Sequence, residues 1–71
     1  MVEGLEMKKL AEVLRQRGVH RDTLLGVIMH TQSEENATKM REWLMENPKM
    51  SQRRMIQKAM EINRGMYPNL V

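Results

Sequence analysis

Residues 33–48 read Ser-Glu-Glu-Asn-Ala-Thr-Lys-Met-Arg-Glu-Trp-Leu-Met-Glu-Asn-Pro, and this stretch decides the fold class. Ser33 can cap a helix, because its hydroxyl accepts a hydrogen bond from a free first-turn N–H. Glu34 and Glu35 set negative charge against the positive end of the helix dipole. Proline at position 48 disfavours helix in the residue before it, so the segment stops near Asn47. Between those signals Ala37, Met40 and Leu44 recur at i, i+3, i+7, the spacing of a buried helical stripe. Trp43 lies about 100° to one side of the stripe and Met45 about 100° to the other. So wide an apolar arc predicts neighbours on more than one side, and therefore a central helix over 34–46.

Upstream, Met7, Leu10, Ala11 and Leu14 repeat the pattern, with Val13 widening the face, and predict a helix from Glu3 to Arg17. Glu3 and Glu6 near its start and Arg15 and Arg17 near its end agree with the dipole. Gly18 is suited to the left-handed residue that ends many helices. A second helix follows over 21–31, capped by His20 or Asp22, with Leu24, Leu25, Val27 and Ile28 as its apolar face. Gly26 points away from the centre of that face and is expected to be exposed. The alternative is close approach by another helix or another chain, since a mid-helix glycine costs roughly 1 kcal/mol relative to alanine.

Downstream, Ser51 caps a fourth helix over 52–64, with Met50 and Met55 placed as a hydrophobic staple. Met55, Ile56, Ala59 and Ile62 form its buried stripe, Met60 sits at the edge, and Gly65 ends it. The expected architecture is all-α: a small compact bundle of four short helices, or three with a short or frayed fourth. A single domain spans residues 1–65, and residues 66–71 are a tail too short to fold alone.

Composition narrows the function classes. A chain of 71 residues buries only about 60–65% of its unfolded surface, so additional stabilisation is expected. There is no cysteine, which removes disulfides and thiolate metal sites and leaves oligomerisation, a homodimer being the simplest case. No segment approaches the roughly 20 apolar residues of a membrane span, and the acidic N-terminus is unlike a secretory signal. A cytoplasmic location is the expectation.

No catalytic residue, cofactor site, metal site or small-molecule substrate is expected. His20 and His30 are ten residues apart and cannot form an i, i+4 ligand pair. Glu34 and Glu35 lie near His30, but first-turn acids beside a solvent-facing histidine are an ordinary arrangement. Nucleophile-elbow and phosphate-loop motifs are absent.

Three features bear on partners. The first is methionine, with nine in the chain and no phenylalanine. Methionine fills irregular cores and also makes adaptable binding surfaces. Met7, Met40 and Met55 belong to core stripes, whereas Met29, Met45, Met60 and Met66 lie at edges or beyond. With Trp43 as anchor, Trp43, Met45 and Met60 are the expected protein interface. The expected function is accordingly a non-enzymatic interaction or regulatory module, self-associating, whose partner is a protein or its own copy.

The second feature is charge. Residues 1–36 carry a net −1 and residues 37–71 a net +4. Arg53, Arg54, Lys58 and Arg64 avoid the buried stripe of the fourth helix and could contact nucleic-acid phosphates, though such a run is more often a solvated face. The third is a helix-turn-helix-like unit over residues 10–27, with Val13, Gly18, Val19, Leu24 and Val27 in suitable places. Its second helix offers only His20, Arg21 and Asp22 to base edges, a poor reading surface. Nucleic-acid binding by either unit is the alternative function.

Overall fold

A computed structural model describes residues 4–65 as four helices in the order α1 (Leu5–Gln16), α2 (Arg21–Thr31), α3 (Glu34–Glu46) and α4 (Gln52–Asn63), with no strand among the described residues. The tail, Met66 included, and Glu3 lie outside them. The fold is the small all-α bundle that the sequence predicts, with all four helices present.

The caps explain where each helix begins. The hydroxyls of Ser33 and Ser51 accept the backbone N–H groups of Asn36 and Arg54 at 3.1 and 3.2 Å. His20, rather than Asp22, caps α2, its Nδ1 accepting the Asp22 N–H at 3.1 Å. Gly18 and Gly65 take positive φ of 72° and 63° beyond the ends of α1 and α4, where a Cβ would be strained. At the end of α2 the same left-handed turn is made by Gln32, with φ 68°. A residue with a Cβ is strained there by about 1–2 kcal/mol, and no local sequence signal marks the position.

The start of α1 is different. Gly4 provides no side-chain cap. Instead the Glu34 carboxylate, from the first turn of α3, accepts the Glu6 N–H at 2.7 Å. The Glu6 side chain reaches back, accepting from Thr38 Oγ1 at 3.1 Å and pairing with the Arg41 guanidinium. At the other end Arg17 donates to the carbonyls of Leu44 and Asn47, where α3 stops. Start joined to start and end to end, α1 and α3 run in the same direction.

α2 and α4 form a second parallel pair. Near their starts the His20 N–H donates to Gln52 Oε1 at 3.0 Å. Near their ends the Asn36 amide donates to the Thr31 carbonyl at 3.0 Å and to Asn63 Oδ1 at 3.4 Å. The α1–α3 layer stacks on the α2–α4 layer, and between them lie Leu10, Leu14, Val27, Ala37, Met40, Leu44, Met55 and Ala59, all buried. The α3 stripe is wholly buried and α3 touches the other three helices, as expected of a central element. α2 touches all three as well, so the centre is shared.

Two expectations about α2 are corrected. Leu25 is 47% exposed and does not belong to the buried face. It lies about 200° from Val27 on the helix, which carries it to the far side. Gly26 is not an exposed, idle position. A Cβ built there would lie 3.5 Å from Ile56 Cδ1, so the glycine lies where α4 passes close by. That distance is an ordinary van der Waals contact. Gly26→Ala should therefore keep the packing and recover helix propensity, raising stability by roughly 0.5–1 kcal/mol in chemical denaturation.

The clasp between α1 and α3 sets a pH response. The hydrogen bond from Arg41, followed by that from Thr38, holds the Glu6 carboxyl below its ordinary value of 4.5 against the opposing effect of burial. A carboxyl depressed in the native state stabilises the fold above its ordinary pKa. That contribution is lost as pH falls through the lowered native value. Glu6→Gln should therefore show a smaller drop in stability between about pH 7 and about pH 3 than the wild type, measured by denaturant titration at each pH.

Candidate interaction surface

The residues marked out by the sequence do not share one face. Trp43 and Met45 project about 200° apart from α3. Trp43 turns to α4 and is half-buried against the core. The Arg54 guanidinium and the Lys58 ammonium each lie 5.7 Å from the centroid of its ring. Both bases also reach Glu61, at 3.0 and 3.9 Å respectively. Residues 54, 58 and 61 fall on one stripe of α4 because they are spaced four and three apart. The indole is thus partly covered from within the molecule by two cations that share one carboxylate.

This arrangement divides the basic helix. Arg54 and Lys58 are engaged toward α3, whereas Arg53 is exposed about 100° further round and Arg64 is the C-cap at the opposite end of α4. The four bases do not converge on a single phosphate-sized spot. The helix-turn-helix reading meets a similar difficulty, because the outer stripe of α2 presents Leu25 and Met29, with Asp22 at its start as the polar group.

Those two residues form a surface that the sequence reading did not assemble. Leu25 is 47% and Met29 71% exposed, one turn apart on the same stripe. The signal was present: with Val27 and Thr31 facing inward, positions 25 and 29 must face outward. The Gly26–Ile56 contact fixes the register of α2 against α4. Met29 lies three residues beyond that level and Met60 four, so helical geometry sets them on either side of the same trough. Ile56 and Met60 are half-buried, and Gln57, Met60, Glu61 and Arg64 line a shallow depression of about 180 Å³ on the outer side of α4. The outer face of the α2–α4 layer is therefore a trough over the Gly26–Ile56 contact, with Leu25, Met29 and Asp22 on its α2 bank and Met60, Arg53 and Arg64 on its α4 bank.

The remaining expected site residues are dispersed. Met45 is 68% exposed on the other layer. His20 is committed to capping α2, and His30 is half-buried rather than solvent-facing. Glu34, read as a simple dipole partner of its own helix, serves α1 instead. Among the described residues no three His, Cys, Asp or Glu side chains are grouped as metal ligands, and no helix is long and apolar enough to cross a membrane. The chain matches no protein-family model, no curated protein and no solved structure.

The Trp43 cluster gives a direct test of how α4's bases are used. Arg54→Ala should change Trp43 fluorescence and cost about 0.5–1 kcal/mol, the usual value of a partly exposed cation–π contact. Arg53→Ala, at an exposed position without such a contact, should leave the emission unchanged and stability within about 0.5 kcal/mol.

Proposed function

We propose that this protein is a small non-enzymatic interaction module that associates with its own copies, and that the outer face of the α2–α4 layer is its docking surface. The observation that carries this reading is the exposed Leu25–Met29 stripe beside the half-buried Ile56 and Met60. Soluble monomers rarely leave a contiguous apolar patch open without a use for it. Methionine side chains suit such a surface because they repack around a partner at little cost. A chain of 71 residues also gains more from association than a larger one, having less core of its own.

The phosphate-binding alternative has less support. Two of its four bases face Trp43 and Glu61 and would have to give up those contacts to meet a nucleic acid. Trp43 belongs more to the internal packing of α3 on α4 than to an open interface, so the interaction reading moves from Trp43 to α2.

The patch is small against the roughly 800 Å² per partner of a stable interface, so association in the micromolar range or weaker is expected. Sedimentation equilibrium over a wide concentration range should show a rising average mass. Leu25→Ser/Met29→Ser should weaken that association at least about tenfold, equivalent to about 1.4 kcal/mol. A wild type that remains monomeric throughout would refute self-association.

A further inference from the structure

We infer that the occupant of the α2–α4 trough is the outer face of α3 from a second copy, so that the chains join head to tail. This rests on the reading of the trough as a self-docking surface and identifies what enters it. Met45, 68% exposed, is the most open large apolar residue outside α2 among the described residues. Glu42 and Glu46 stand together on one side of it, about 60° and 100° round the helix, and both are exposed without an ion pair among the described residues. The outer side of α3 near its end is thus an apolar knob beside a pair of exposed acids. The trough offers exposed Arg53 on its α4 bank and the apolar residues Leu25, Met29 and Met60 at its rim, with exposed Asp22 at the start of the α2 stripe.

Helix electrostatics point the same way. The last turn of α3 contains no base, and the first turn of α4 contains no acid. Glu42 and Glu46 lie toward the negative pole of α3, and Arg53 lies at the positive pole of α4. Each placement is unfavourable within its own helix. Both are relieved if the acids of one copy meet the bases of another.

The two faces belong to different layers and point away from each other. A contact between them is therefore heterologous, and each added copy leaves one face of each kind free at the ends. The result is an open or ring-closed series rather than a dimer that saturates.

Two sets of surface substitutions separate the faces. Glu42→Lys/Glu46→Lys blocks the α3 face and leaves the trough intact. Met29→Glu/Arg53→Glu blocks the trough and leaves the α3 face intact. Circular dichroism identifies any variant that fails to fold, in which case Glu42→Gln/Glu46→Gln or Arg53→Gln takes its place with a smaller effect in the same direction. The wild type should show an average mass that rises with concentration, does not stop at a dimer, and falls with added salt. Each variant alone should associate at least about tenfold more weakly, and an equimolar mixture should form a one-to-one dimer and stop there.

A wild type that associates while the mixture stays monomeric, or variants that pair as well as the wild type does, would overturn the head-to-tail contact and leave self-association standing. A wild type monomeric at all concentrations would overturn both. If that monomer binds a synthetic Leu/Glu amphipathic helical peptide, the trough takes a foreign acidic helix instead of a second copy.

Discussion

The rest of the structure depends on the double clasp between α1 and α3. Glu34 completes the start of α1, Glu6 returns to Thr38 and Arg41, and Arg17 covers the carbonyls at the end of α3. Each contact satisfies backbone or charged groups that would otherwise be left at a helix end, where desolvation is costly. Because the clasp acts at both ends, it fixes the direction of α1 along α3 as well as their proximity. It has one imperfection, a buried Arg41 Nε without a hydrogen-bond partner. The guanidinium is therefore held by its carboxylate on one side only.

With that layer fixed, the second pair has little freedom. α2 follows α1 after a short turn at Gly18, and α4 follows α3 after the break at Pro48. Both must lie back across the first layer to cover Leu10, Leu14, Met40 and Leu44. They meet along Gly26 and Ile56, where a Cβ on residue 26 would make only an ordinary contact. The cost in helix propensity is modest compared with the roughly 1.5–3 kcal/mol gained by each large apolar side chain buried beneath. The same meeting leaves Leu25 and Met29 outside, since one helix cannot turn every side toward a core only one layer deep.

The charges follow a similar division. Arg54 and Lys58 are held over Trp43 and tied to Glu61, while Arg53, one position away, is left on the outer bank. Net charge alone made the four α4 bases look like a single patch. The i, i+4 and i, i+7 relations among 54, 58 and 61 separate them into an internal group and an outward group.

Local sequence determined a good deal here. Ser33, Ser51, Gly18 and Gly65 set helix limits because capping and left-handed turns are chemistry within a few residues. The stripe of Ala37, Met40 and Leu44 identified a buried face because a period of about 3.6 residues fixes which side chains point together. What only the tertiary structure decided involves partners remote in the chain. Glu34 capping α1, Arg17 closing α3 and Ile56 reaching Gly26 depend on which helices stack and in which direction, and no local pattern contains that. The same holds for the exposed Leu25: its apolar character was plain, but its side of the helix acquired meaning only when α4 settled against Gly26. Helices were legible because their hydrogen bonds are local, whereas the exposed outer face was not, because a surface is what remains after distant segments have covered one another.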